Sequence, residues 1–366
     1  ILPLVHQVAE GLGASGKYLH WGATTQDIMD TALVLQIRQG LNLLEQDLRA
    51  VSVQLRRLAK TYRDTPMAGR THLQHALPTT FGLKCAIWLG MVERNLERLQ
   101  ELRPRVLVGQ FAGAGGTLAS LGERGLEVQA EMMQVLGLGV PMTTWHTARD
   151  GLAETAQWLG LVTMTLGKMA FDVSLMMANE FSEVFEPFVQ GRGASSTMPQ
   201  KRNPISCEVM IGAAKTVRHL AGLALDGAVQ DFERATGPWQ AEWVALPEAF
   251  LHTAGAVSQA LFMLTGLEVD TQRMRQNLDS TGGLIVAEAV MMGLAPALGR
   301  NEAHDVVYAA CRVALEQKRT LADVLKANEA VTRLVSIEQI EAMCEPTNYL
   351  GCAAQMVDKA LAAQPR

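Results

Sequence analysis

The five cysteines, Cys85, Cys207, Cys311, Cys344 and Cys352, are odd in number and never stand in a C-x-x-C pair. That speaks against a disulfide framework and against a zinc site, and it points to free thiols in a reducing cytosol. Neither sign of charge dominates, since 366 residues carry a formal net charge of only -5. Such a balance gives no reason to propose binding to nucleic acid or to a membrane surface. The apolar opening at Ile1 is too short to span a bilayer and lacks the basic start of a signal peptide. It also lacks an initiating methionine, so the sequence reads as a fragment. Sustained period-two alternation is missing throughout, as are internal repeats and low-complexity tracts. The glycine-rich stretch at 113–122 has no Lys-Ser/Thr ending, which removes a P-loop and leaves a close backbone approach.

What is present is helical periodicity. Leu33, Ile37, Leu41, Leu44, Leu48, Val51, Leu55, Leu58 and Tyr62 recur in steps of four and three. Some thirty residues at about 1.5 Å each span roughly 45 Å, a length typical of bundles and coiled coils. A similar pattern runs from Phe81 through Cys85, Leu89, Val92, Leu96 and Leu99 to Leu102, where Pro104 is expected to end it. Further amphipathic stretches cover 152–177, 205–229 and 246–264. The fold class is therefore all-α, a long-helix bundle. Polar, turn-rich sequence around Thr281 to Gly283 marks a boundary, with five or so shorter helices beyond it. The organisation expected is a remnant of an N-terminal helical domain (1–26), a central bundle (27–280) and a small helical C-terminal domain (281–366).

Residues 191–208, G-R-G-A-S-S-T-M-P-Q-K-R-N-P-I-S-C-E, form a loop of small residues between two apolar helical patterns. Backbone N–H groups there can face an anion, and Lys201 and Arg202 add positive charge. Asn203 suits a helix N-cap and Pro204 a first helical position. In H-W-G-A-T-T-Q-D, Thr24 and Thr25 stand near a helix start, where hydroxyls and free N–H groups also suit a carboxylate; the plainer role is capping.

The loop S-S-x-M-P-x-K-x-N-P resembles the signature of the fumarase/aspartase superfamily, with Ala194 where glycine is usual. G-R-T-H-L-Q-H-A-L-P-T-T-F-G at 69–82 resembles a second block of that family, and the Thr24-Thr25-Gln26-Asp27 block a third. The resemblance implies an enzyme that moves a proton beside a carboxylate while a bond at the β carbon breaks or forms, without metal or organic cofactor. It implies Ser195 as base, supported by Lys201, with His72 as the opposing acid/base and Glu208 as its carboxylate partner. His75 is the weaker alternative to His72. Substrate contacts are expected from Thr24, Thr25, Gln26, Thr71, Ser196 and Asn203. Trp145 and His146 could line the pocket or simply open the next helix, and Arg149-Asp150 could be a local ion pair.

Within the superfamily, H-W-G-A-T-T-Q-D, W-H-T-A-R-D and T-G-P-W-Q-A-E-W are most similar to the branch that closes 3-carboxymuconate to a lactone. By the resemblance, Trp243 replaces an arginine that helps hold the nucleotide phosphate in adenylosuccinate lyases, which favours a small polycarboxylate without a nucleotide. Another lyase of the superfamily and a non-catalytic, crystallin-like homologue are the alternatives. The resemblance also implies a cytoplasmic homotetramer cored by about twenty helices, with active sites shared between subunits.

Overall fold

The computed structural model describes residues 2–193 and 197–363. In chain order its helices are α1 (Leu2–Gly11), α2 (Thr25–Thr61), α3 (Phe81–Val106), α4 (Gly125–Leu136), α5 (Asp150–Met177), α6 (Ile205–Ala228), α7 (Pro238–Thr265) and α8 (Thr271–Asp279). Then follow α9 (Ala287–Leu298), α10 (Arg300–Gln317), α11 (Leu321–Lys326), α12 (Glu329–Thr332), α13 (Ile337–Cys344) and α14 (Ala353–Ala362). Two small antiparallel pairs complete it: β1 (Pro66–Thr71) with β2 (Gln74–Thr80), and β3 (Val184–Phe185) with β4 (Glu268–Val269).

The fold is the all-α long-helix bundle that the periodicity requires. On α2, Leu41, Leu48, Leu55 and Leu58 are buried, and they meet Leu89, Leu96 and Leu99 of α3 in one core with Leu159, Val162, Leu166 and Val173 of α5. Burying each such side chain contributes about 1.5–3 kcal/mol, so the core stripe fixes which face of each helix points inward. α6 packs between α5 and α7, while α2 packs on α3 and α7. α5 is apolar and long enough to cross a membrane, but half of its most apolar stretch is buried inside the protein, as in a soluble bundle. A second core joins α9, α10, α11 and α13 through Val290, Leu294, Val307, Leu321, Leu325 and Ile340. α14 returns to the bundle, with Val357 in the main core and Arg56 of α2 donating to the carbonyls of Leu361 and Ala363.

Three local expectations fail for identifiable reasons. α3 continues through Pro104 to Val106. Near a helix end the proline removes only one ladder bond, and buried Leu102 and Val106 hold the turn. α7 starts at Pro238, well before Leu246, because Gly237 at φ 98° turns the chain and Pro238 takes the first helical position. Buried Glu242, Ala245, Leu246 and Ala249 then carry the helix past Pro247. Finally, the block at 69–82, where no strand alternation is legible, is mostly a hairpin, because a bulge between Ala68 and Arg70 and Pro78 in β2 break the alternation.

Helix length places the functional segments. The 37 residues of α2 span about 55 Å and the 28 of α5 about 42 Å. The Thr24 block opens α2, whereas the hairpin follows its far end. α5 starts beside the Thr24 block, where Arg149 binds Asp30, and ends beside the hairpin, where Met176 lines the His72 cleft.

Candidate active site

At the start of α2, the buried charged groups are matched within the chain. The Asp27 carboxylate accepts from the backbone N–H groups of Thr24 at 2.9 Å, Ala112 at 3.0 Å and Gly113 at 2.9 Å, and lies 2.7 Å from His146 Nε2. Burial works to raise its pKa, but the His146 contact and the N–H donors outweigh that and hold the carboxyl below its usual range. Gly113 can lie this close because it lacks a side chain: its φ is +81°, and a Cβ there would sit 2.9 Å from the Gly22 carbonyl oxygen.

Deeper in, Arg149 is fully buried and forks between Asp30, at 2.7 and 2.9 Å, and Glu242, at 2.9 Å through Nε. It also lies over the Trp145 ring, 5.1 Å from the centroid. The arginine is thus a tie between α2, α5 and α7, which corrects the local Arg149-Asp150 pairing; Asp150 is exposed. Burial raises the Glu242 pKa even with Arg149 beside it.

These contacts sort the residues expected to touch substrate. Gln26 and His146 are turned inward, at 1% and 2% exposure, with Gln26 Nε2 donating to the His146 carbonyl at 2.8 Å. In this chain they support the block from behind. Thr24 Oγ1 accepts from Arg234 at 3.0 Å, while the exposed Thr25 hydroxyl bonds to no described residue. Trp145 is half-buried and donates from Nε1 to the Gly109 carbonyl at 2.9 Å. Trp243 is exposed and meets Trp239 edge to face at 5.2 Å.

At the far end, His72 and Leu73 form the two-residue turn of the β1–β2 hairpin, both left-handed, at φ 51° and 63°. Such turns normally take Asn-Gly. Placing a histidine and a leucine there carries backbone strain of about 1–3 kcal/mol per residue. The strain is held by the hairpin's base, where Arg70 donates to buried Glu183 at 2.7 and 3.0 Å, Asn277 donates to the same carboxylate at 2.9 Å, and the guanidinium lies over Phe181. His72 and Thr71 are consequently presented to solvent. His75 is half-buried, and burial followed by the Arg70 charge lowers its pKa.

The signature loop closes on the same end of the bundle. Ser195 and Ser196 lie outside the described residues. Asn203 N–H donates to the Gly193 carbonyl at 3.2 Å, and Arg202 binds Glu268 at 2.9 Å and the Glu186 carbonyl at 2.7 Å. Lys201 is exposed, and its ammonium bonds to no described residue. The helix cap differs from expectation. Pro204, not Asn203, is the cap residue of α6, and the N–H groups of Ser206 and Cys207 donate to the buried Glu186 carboxylate at 3.0 and 2.9 Å. That anion from the preceding segment already satisfies the helix dipole. Glu208, one turn on, is exposed.

One chain does not gather these groups. His72 lines a cleft with Phe171, Asp172, Leu175 and Met176 of α5, and Lys201 and Asn203 line another with Ser174 and Met177. The last turns of α5 separate the two, and no described contact joins Glu208 to His72. Among the described residues no three His, Cys, Asp or Glu side chains gather as a metal site. Arg234, Glu186 and Lys84 escaped the sequence reading. Only Lys84 had a local signal, as a cation inside the apolar run F-G-L-K-C-A.

A family model described as Lyase matches residues 4–218. The chain belongs to the lyase family. A second model, described as Adenylosuccinate lyase C-terminus, matches residues 283–360 of this lyase. It is 50% identical to a 3-carboxy-cis,cis-muconate cycloisomerase of Pseudomonas aeruginosa, over 99% of this chain and 80% of that protein. With an N-acetyl-S-(2-succino)cysteine lyase of Dickeya dadantii it shares 39% identity, over 99% of this chain and 80% of the other. Among solved structures, a fumarate lyase from Mesorhizobium sp. BNC1 superposes with a TM-score of 0.94 at 54% identity, covering 100% of this chain and 82% of that one. The 3-carboxy-cis,cis-muconate lactonizing enzyme from Pseudomonas putida follows with 0.93 at 44%, covering 99% and 81%. This lyase is therefore an enzyme of the fumarase/aspartase type, the superfamily that its signature loop resembles.

Proposed function

We propose that this lyase converts 3-carboxy-cis,cis-muconate to 4-carboxymuconolactone, a step of aromatic breakdown through the protocatechuate/β-ketoadipate route. The observation that carries the reading is the 50% identity with a cycloisomerase of that name, sustained over 99% of the chain. Trp243 adds to it: an exposed indole offers a small carboxylate an apolar wall and offers a nucleotide phosphate no bidentate partner.

In the proposed reaction one substrate carboxylate oxygen adds to a carbon of a double bond. The electron pair moves to the neighbouring carbon, which is stabilised as an aci-carboxylate, and that carbon takes up one proton. Ser195 is the proposed proton carrier at carbon, with Lys201 stabilising its oxyanion and the developing negative charge. Asn203, Thr25 and Thr24 hold substrate carboxylates. His72 faces the side where the C–O bond forms, with Glu208 orienting its ring. Because His72 and Glu208 both point outward from one chain, their pairing is proposed between copies, in a cytoplasmic homotetramer. Leu161, Met164 and Phe171, exposed along α5, offer the apolar face that such an assembly would cover.

The test is to follow the absorbance of 3-carboxymuconate and of adenylosuccinate in parallel incubations. Consumption of 3-carboxymuconate is expected; consumption of adenylosuccinate alone overturns the reading. A second reading, a β-eliminating lyase with a thiol leaving group, draws on the 39% identity with the Dickeya dadantii protein. N-acetyl-S-(2-succino)cysteine in the same incubations would reveal it as release of fumarate.

A further inference from the structure

Lys84 stands on the first turn of α3, immediately after the hairpin, and lines the same cleft as His72, together with Arg70 and Asp172. It is only half-exposed, yet its ammonium bonds to no described residue. The other charges of the cleft are already matched. Arg70 is forked onto Glu183, which also accepts from Asn277, and Asp172 accepts from Trp88 Nε1 at 2.9 Å and from Lys168. His75, the remaining titratable group on the hairpin, has its pKa lowered by burial and the Arg70 charge. Among the described residues Lys84 is thus the cleft lysine or arginine without a bonded partner. Burial works against its charge, and Asp172 offsets this only in part, so its pKa is held below the ordinary lysine value. An anion arriving in the cleft would relieve that penalty.

We infer that Lys84 is a substrate-binding residue whose ammonium receives one carboxylate of a polycarboxylate in the His72 cleft. The inference rests on the polycarboxylate reading of this site and extends it, since Lys84 lies outside the signature loop and the threonine block. A free cation beside the strained histidine supplies a fixed anchor on the side of the substrate away from Lys201.

The experiment uses the purified protein and tricarballylate, an unreactive tricarboxylate. In unaltered protein, saturating tricarballylate should shield Lys84 from acetylation by acetic anhydride, read by peptide mass, so this measurement does not depend on a variant folding. Lys84→Met should weaken tricarballylate binding in calorimetry, and raise KM for 3-carboxymuconate, by about tenfold to a hundredfold. kcat should fall less, and Lys84→Arg should recover part of the loss. If 3-carboxymuconate is not consumed but tricarballylate still shields Lys84, the cycloisomerase reading falls and the carboxylate site stands. If 3-carboxymuconate is consumed while Lys84 acetylates equally with and without tricarballylate, or a folded Lys84→Met keeps its KM, the inference is overturned. Failure of tricarballylate to bind overturns it as well.

Discussion

The two ends of the bundle hold similar polar residues in opposite conditions. Around the start of α2, the charges of Asp27, Asp30, Arg149 and Glu242 are buried and matched within the chain. At the far end His72, Lys84 and Lys201 are wholly or partly exposed and lack partners among the described residues. A buried charge without a partner is strongly unfavourable, so a saturated network speaks for architecture. Exposed cations and a strained histidine are tolerated where a ligand or another copy of the chain completes them. The contrast separates the charged groups that build this enzyme from those proposed to run it, whereas Thr24 and Thr25 are proposed to reach a site from the matched end.

The contrast can be broken by single substitutions. The largest effect is expected for His72→Asn, which should lower kcat by roughly 10²–10⁴ and keep or raise the urea midpoint, because the side chain projects into solvent and asparagine suits the left-handed turn. An equal loss of stability would make the hairpin tip part of the architecture. Arg149→Met comes next: leaving Asp30 and Glu242 buried without their cation should destabilise the fold by about 3–5 kcal/mol in urea unfolding. A variant as stable as the parent would contradict the saturated network.

Asp27→Asn sharpens the same contrast through pH. The folded carboxyl has a lowered pKa, so its contribution is fully present above the unfolded value of about 3.9. It is lost as pH falls through the folded value. Unfolding at pH 6 and at steps below pH 4 should therefore show a shallower acid loss in the variant, which is itself about 1–3 kcal/mol less stable at pH 6. An identical acid limb would remove Asp27 from the account. The smallest effect belongs to Glu186→Ala, which uncovers two N–H groups of α6 and should lower stability by about 1–2 kcal/mol, as loss of a helix cap does.

How much the sequence disclosed follows from the range of each signal. The long helices were legible because Leu41, Leu48, Leu55 and their neighbours repeat at helical spacing, and that spacing is local. The hairpin was not: its turn is His72-Leu73 instead of Asn-Gly, Pro78 interrupts β2, and a bulge shifts the register between Ala68 and Arg70. The start of α7 hid behind Pro247, which reads as a breaker until buried Leu246 and Ala249 are seen to hold the helix. Arg149 could not be paired correctly because its partners lie 119 and 93 residues away. Motif resemblance supplied His72, Lys201 and Glu208 and implied sites shared between subunits; that the last turns of α5 part the His72 cleft from the Lys201 cleft is a long-range feature that local sequence does not carry.

That separation is the central claim, and mixing inactive chains tests it most directly. His72→Asn and Lys201→Met proteins should each be nearly inactive with 3-carboxymuconate. Unfolded together and refolded as hybrids, they should recover a measurable fraction of wild-type turnover, because some sites would draw an intact His72 from one chain and an intact Lys201 from another. Hybrids that form, as shown by mass, and stay as inactive as either parent would contradict a site assembled between copies.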